Sequence, residues 1–166
     1  SVPPGAEKTR NIIAKLSDLF RYQLKASKEE FVTVQEELDF VTQYLDLEKE
    51  RFGERLNYKV SINEDLLSDL VPPLIIQPIV ENAVKHGISP LITGGEVRIL
   101  IRKAANQLLI EVSDTGVGMD QKSKNEVFIK GIGLSNTHKR LEKMYKKGLE
   151  LSDNEPNGLV VRFSIN

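Results

Sequence analysis

With 166 residues, 40% hydrophobic and 28% charged, the chain has the balance of a globular protein of one domain, or of one domain with an appendage. It has no cysteine, which excludes disulfides, thiol nucleophiles and cysteine-ligated metals, and its net charge of −1 gives no general pull toward nucleic acid. No apolar run approaches the roughly 18 residues of a membrane span; the longest, Val71 to Val80, is broken by Pro72, Pro73, Gln77 and Pro78.

After a loop, Ser1 to Gly5, a helix is expected over Ala6 to Ala26, where Ile12, Ile13, Leu16, Leu19, Phe20 and Leu24 form a broad apolar stripe that needs a partner. Ser27 to Glu30 breaks it. Thr33 and Glu36 then form a capping box, and the helix it opens runs to about Phe52, with Gly53 as its stop. Tyr58, Val60 and Ile62 alternate with polar residues, as on a half-buried strand. Pro72-Pro73 is expected to start a central helix, with Pro78 kinking or tightening it. Ile75, Ile76, Ile79, Val80, Ala83 and Val84 face a core, and Gly87 sits where a left-handed stop is wanted. Glu96 to Lys103 and Gln107 to Ser113 read as a hairpin, followed by Asp114-Thr115-Gly116-Val117-Gly118-Met119 and a polar stretch, Asp120 to Lys130. Gly131-Ile132-Gly133-Leu134 opens a last helix to about Lys147. Two final strands follow, Leu149 to Ser152 and Leu159 to Ile165, joined by a turn. The fold class is α+β, two helices and then a two-layer sandwich of a mixed sheet with helices on one face.

Charge is uneven. Residues 28–54 hold nine acidic and three basic side chains, whereas residues 122–147 hold eight basic and two acidic ones, a local field that favours an anionic ligand. Within two turns the central helix carries Glu81, Asn82, Lys85 and His86, and Asn82 and Lys85 share a face. An amide oxygen beside an ammonium suits a magnesium-bound phosphate. Asp114 ends a strand, where a fixed carboxylate can accept from an amino group; the glycines after it free the backbone for a close approach. Gly131 and Gly133 open a helix whose exposed amides and dipole attract phosphate oxygens.

The three features occur in one order: E-N-x-x-K-H-G on a helix, D-x-G-x-G at a strand end, and G-x-G-L opening a helix. This resembles the GHKL (Bergerat) nucleotide-binding family of gyrase, Hsp90, MutL and histidine kinases, with the stretches as its N, G1 and G2 boxes. PPLIIQPIVENAVKHGI, DTGVGM and GIGLSNTHKRLEKMY, preceded by KLSDLFRYQL and ELDFVTQYLDLEKERFG, are similar to the LytS/YehU-type bacterial sensor histidine kinases over nearly the whole chain. The resemblance implies residues 1–53 as C-terminal helices of a dimerisation region and residues 54–166 as the ATP-binding catalytic domain. It implies Asn82 as the Mg²⁺ ligand, Lys85 on a phosphate, His86 near ribose or phosphates and Asp114 on the adenine amine. Gly116, Gly118 and Met119 shape that end of the ATP pocket. Residues 120–130 become a short lid whose lysines meet the phosphates, closing through Gly131, Gly133 and Leu134.

Two departures matter. The ATPases of that superfamily place a glutamate base four residues before the magnesium asparagine; here that position is Pro78, which disfavours an ATP-hydrolysing switch. Glu81, counted with Asn82 and Lys85 as catalytic, is left as a helper base, a holder of magnesium's waters or a plain surface acid. The N-P-H-F-L-F-N stretch that carries the acceptor histidine in this branch is not found; of the two histidines, His86 belongs to the N box and His138 reads as packed. Intact Asn82, Asp114 and glycine pairs speak against a pseudo-kinase that only dimerises or binds a regulator. The implied partners are a phosphoacceptor histidine on the same or a partner chain, a second copy as homodimer, and a response regulator, with no nucleic acid. The implied location is the cytoplasmic side of a bacterial inner-membrane sensor.

Overall fold

The computed structural model describes residues 3–130 and 133–166. Helices α1 (Pro4–Ala26) and α2 (Val34–Phe52) come first, separated by the two-residue strand β1 (Val32–Thr33). Strands β2 (Leu56–Ile62) and β3 (Leu70–Val71) lead to α3 (Gln77–Asn82), which continues as a π-helical stretch over Ala83–Ile88. Then come β4 (Gly95–Ala104), β5 (Gln107–Asp114), α4 (Gln121–Lys130), α5 (Gly133–Tyr145), β6 (Glu150–Asp153) and β7 (Leu159–Ile165).

The main sheet has the order β2-β4-β5-β7-β6; β2 and β4 are parallel and the other neighbours antiparallel. It is half-buried in the expected way: Leu108, Ile110, Val112 and Asp114 of β5 are buried and alternate with partly exposed residues. Ile101, Ile110 and Phe163 form one row across three strands, and Ile99, Val112 and Val161 the next. The inner face packs against the π-helical stretch, and α3, which leads into that stretch, in turn meets α2 and α5. The expected α+β sandwich, a mixed sheet with helices on one face, is the fold observed.

The N-terminal pair forms as its caps predict. Thr33 Oγ1 accepts from Glu36 N–H at 3.1 Å, while Glu36 Oε2 accepts from Thr33 N–H at 2.8 Å. Only one edge of α1 finds α2: Leu19 and Ala26 are buried, whereas Ile13, Phe20 and Leu24 are 57%, 62% and 67% exposed. The pairing of β1 with β3, Val32 opposite Val71, had no sequence signal.

The central helix departs from expectation at both ends. It begins at Gln77, not at Pro72-Pro73. The first proline of a Pro-Pro pair is biased away from the helical region by the second, and Leu74 then turns the chain with φ +58°. Pro78 consequently falls in the first turn, where its missing N–H has no partner to lose, and it does not kink the helix. Gly87 is not a left-handed stop; it is buried within the π-helical turn.

What holds the Pro72 to Ile76 turn is a buried carboxyl. Glu37 of α2 is 0% exposed, and its Oε1 accepts from Ile75 N–H at 3.1 Å. From the other side Arg140 of α5 donates to the Pro73 carbonyl at 2.6 Å. Burial pushes the Glu37 carboxyl from 4.5 up to about 7, against the N–H groups of Ile75 and Leu74 and the Arg140 guanidinium, which favour the charge.

Between about 4.5 and about 7 the folded chain therefore keeps a proton that the unfolded chain releases, so this group's contribution to stability is fullest below 4.5 and is lost as pH rises through 7. The loss amounts to roughly 2–3 kcal/mol. Glu37→Gln, which keeps the acceptor for Ile75, is expected to remove it. Urea midpoints at pH 5 and pH 8 should shift in the variant's favour at the higher pH; a constant difference between variant and parent would exclude a buried, protonated Glu37.

Candidate functional site

The inner side of the central helix, with Ile79, Val80, Ala83 and Val84, is buried, which turns Glu81, Asn82, Lys85 and His86 outward. There they form one wall of a cleft of about 610 Å³, together with Pro78. Ser123, Glu126 and Val127 of α4 face them, Gly133 and Leu134 close the side at the start of α5, and Met119 closes the end. Gln77 Nε2 donates to Glu81 Oε1 at 3.1 Å, and Lys85 Nζ lies 3.9 Å from Glu81 Oε2. The Glu81 carboxylate is thus oriented from below and shares a cation at the surface.

At the other end stands Asp114, 3% exposed. Burial raises its carboxyl above the usual range, countered by the N–H groups of Gly116 and Leu159; the Gly116 N–H is 2.8 Å from Oδ1. The turn after it is tied to β4, with Thr115 N–H donating to the Glu96 carbonyl and Glu96 N–H to Thr115 Oγ1 at 2.9 Å. It is tied to the π-helical stretch by Val117 N–H on the Gly87 carbonyl at 3.1 Å. A Cβ on Gly87 would lie 2.7 Å from Asp114 Oδ1, and one on Gly116 2.1 Å from the Gly87 carbonyl oxygen. Here glycine is required by contact, not by a special dihedral.

A small chamber of about 30 Å³ joins the two ends, lined by Asn82, His86, Gly87, Asp114, Gly118, Met119 and Leu159. It shares Asn82, His86 and Met119 with the cleft, so Asp114 closes the back of the same depression. Of the residues expected from sequence, Glu81, Asn82, Lys85, His86, Asp114, Gly118, Met119, Gly133 and Leu134 line these two spaces. Gly116 is buried beneath Gly87, and Gly131 lies outside the described residues.

The stretch after Met119 is a helix, capped by Asp120, whose Oδ1 accepts from Ser123 N–H at 2.7 Å. The described cleft-facing residues of α4 are Ser123, Glu126 and Val127, and Lys124 is paired with Asp153. Phe128 of α4 stacks on His138 of α5 at 3.9 Å between ring centres, while His138 Nδ1 accepts from Leu149 N–H at 2.9 Å. His138 is thus a packed histidine. Sequence reasoning missed Phe128, and it missed Asn154, Asn157 and Leu159, whose only signal was an ordinary turn. Among the described residues no cluster of histidine and carboxylates could hold a metal alone. The Asn82 amide oxygen suits Mg²⁺, which takes few protein ligands when phosphate oxygens supply the rest.

Comparison with known proteins shows the family and the fold. Residues 3–56 match the family model "Histidine kinase", and residues 72–166 match "Histidine kinase-, DNA gyrase B-, and HSP90-like ATPase". Sensor histidine kinase YpdA of Escherichia coli (strain K12) is 35% identical over 170 residues, 99% of this chain and 30% of that protein. Sensor protein LytS of Oceanobacillus iheyensis is 31% identical over 169 residues, 95% of this chain and 29% of that protein. The chain thus spans about 30% of the length of these relatives. The catalytic domain of histidine kinase ThkA superposes with a TM-score of 0.65 at 17% identity, covering 81% of this chain and 94% of that domain. In its complex with response regulator TrrA, ThkA gives 0.57 at 19% identity, covering 99% of this chain and 52% of the kinase. At these identities the structures speak for the fold.

The contact at Gly87 is testable. Asp114 is gripped by two N–H groups and cannot retreat, so Gly87→Ala should cost on the order of 2 kcal/mol, as overpacking does. Gly133→Ala, where an added Cβ meets nothing within 4 Å, should cost little. Urea titrations of the two variants decide; equal stabilities would mean that the crossing is loose.

Proposed function

For a chain that belongs to the histidine kinase-, DNA gyrase B-, and HSP90-like ATPases, and among them to the LytS and YpdA type of sensor histidine kinase, we propose the following activity: residues 54–166 bind Mg-ATP and pass its γ-phosphoryl to a kinase histidine outside residues 1–166. Residues 1–53 are read as helices of the dimerisation region. The supporting observation is the convergence of Asn82, Lys85 and Asp114 on the two ends of one cleft.

In this reading the buried Asp114 carboxylate accepts from the adenine amine, with Gly116, Gly118 and Met119 shaping the base end. Lys85 meets a phosphate, and His86 lies beside ribose or phosphates. Asn82 would hold Mg²⁺ through its amide oxygen; the ion supplies charge neutralisation on the phosphates when bound. The start of α5, at Gly133 and Leu134, directs main-chain N–H groups at the triphosphate, and α4 is the lid that excludes water. Positioning and charge neutralisation make up most of the catalysis, as in phosphoryl transfer generally. Glu81, oriented by Gln77 and standing beside Asn82, fits a helper base or a holder of magnesium's waters.

Pro78 separates this reading from hydrolysis. It lines the cleft one turn before Asn82, and a pyrrolidine ring takes no proton from water. The phosphoryl group therefore goes to a protein. Neither histidine here suits as acceptor: His86 lines the nucleotide cleft, and His138 is held by Leu149 and Phe128. The exposed edge of α1 fits a second copy, giving a homodimer, and a response regulator takes the phosphoryl group onward. Among the described residues no helix is long and apolar enough to cross a membrane; placement on the cytoplasmic side of an inner-membrane sensor belongs to this proposal.

Asn82→Ala is expected to weaken ATP binding mainly when Mg²⁺ is present, and Asp114→Asn with or without it. Removing a charge-assisted hydrogen bond of the Asp114 kind costs roughly 1.5–3 kcal/mol, on the order of tenfold to a hundredfold in affinity. Calorimetry with and without Mg²⁺ separates the two, and equal losses for Asn82→Ala in both conditions would remove the metal-ligand role. With γ-labelled ATP, residues 1–166 should gain no acid-labile phosphate, whereas a peptide carrying the acceptor helix should. Label on His86 or His138 would overturn the assignment of the acceptor.

A further inference from the structure

The turn between β6 and β7 grips Asp114 from behind, and no sequence motif drew attention to it. Asn154 Nδ2 donates to the Asp114 carbonyl at 2.8 Å, while its Oδ1 accepts from Glu155 N–H at 3.0 Å, so both ends of this amide are fixed. Asn154 N–H closes the turn on the Gly158 carbonyl at 3.0 Å. Asn157 Nδ2 bridges the carbonyls of Thr115 and Gly116 at 2.6 and 3.2 Å. Gly158 lies so close that a Cβ there would be 1.8 Å from the Asp114 carbonyl oxygen. Leu159, which opens β7, gives its N–H to the Asp114 carboxylate and also lines the chamber. Three consecutive carbonyls, Asp114, Thr115 and Gly116, and the carboxylate itself are thus held by residues 154–159.

We propose that this turn is a wall of the base pocket, and that Asn154 and Asn157 are positioning residues that aim the Asp114 carboxylate and so set base specificity. The inference rests on Asp114 as the group that reads the base. A carboxylate accepts from the exocyclic amine of adenine and repels a carbonyl at the same place. That discrimination depends on where the oxygens point. A buried group with two of its donors on neighbouring turns points where those turns put it. Any base carrying an amine at this position is favoured, and one carrying a carbonyl is rejected.

The test compares ATP with inosine triphosphate, which replaces that single amine by a carbonyl. Asn157→Asp keeps the shape but turns an oxygen toward two carbonyls, and Asn157→Ala removes the donor without repulsion and serves where the first variant does not fold. Each is expected to weaken ATP binding about tenfold and to narrow the ratio of inosine triphosphate to ATP dissociation constants by a similar factor. A purely structural part for the turn would lower the melting temperature and weaken both nucleotides equally, and that result, or parent-like binding, overturns the proposal. Asp114→Ala runs alongside. If it collapses the ratio while the Asn157 variants preserve it, the proposal alone falls. If it leaves the ratio unchanged, the assignment of Asp114 to the base falls, and this inference with it.

Discussion

Three stretches of main chain meet at Asp114, one of them across its own carboxylate. Gly87 lies on one side and Gly158 on the other, and Gly116 tucks beneath the Gly87 carbonyl. Close-packed interiors tolerate little change in volume, so this crossing fixes distances that no flexible loop could. Gly87 is on the same helical stretch as Asn82 and Lys85. Pressing it against Asp114 therefore sets the span from Asn82 and Lys85, the proposed metal and phosphate groups, to the carboxylate proposed to read the base. The sheet contributes rigidity, since Asp114 is the last residue of β5, hydrogen-bonded between β4 and β7.

A second joint sits at the other end of the same helix. Glu37 reaches from α2 and Arg140 from α5 to the turn that starts it. A carboxyl taken fully out of water is costly unless its oxygens find donors; Oε1 accepts from Ile75 N–H, while among the described residues Oε2 has no hydrogen-bond partner. Leu74 adds a left-handed backbone, on the order of 1–2 kcal/mol for a residue with a side chain. These costs are tolerated at the point where α2, the helix bearing Asn82 and α5 all meet.

Much of the fold was legible because its signals are local. The Thr33–Glu36 box needs three residues, and the alternation of β4, β5 and β7 is written within each strand. The site was legible because three short patterns occur in one order. The misreadings share a different cause. Pro72-Pro73 looks like a helix start, but Glu37 and Arg140 bend that turn from far along the chain. Gly87 looks like a helix end because local rules know glycine by its dihedral, whereas here it answers to Asp114. The polar stretch after Met119 shows little periodicity; as a surface helix it needs no broad apolar face. Asn154 and Asn157 belong to the common vocabulary of turns, and nothing near them in sequence reveals that they hold the carbonyls around Asp114.

The chamber beside Asp114 is small, about 30 Å³, and Met119 and Leu159 are among its walls. On the proposed reading, a base that docks against Asp114 must part Met119 and Leu159, and binding then competes with an equilibrium inside the protein. Apparent affinity then equals the intrinsic affinity scaled by the fraction of molecules already open; if about one in ten is open, nucleotide binds about tenfold more weakly than its contacts allow. On the proposed reading, any influence that props Met119 or α4 outward raises that fraction and tightens binding without touching the ligand.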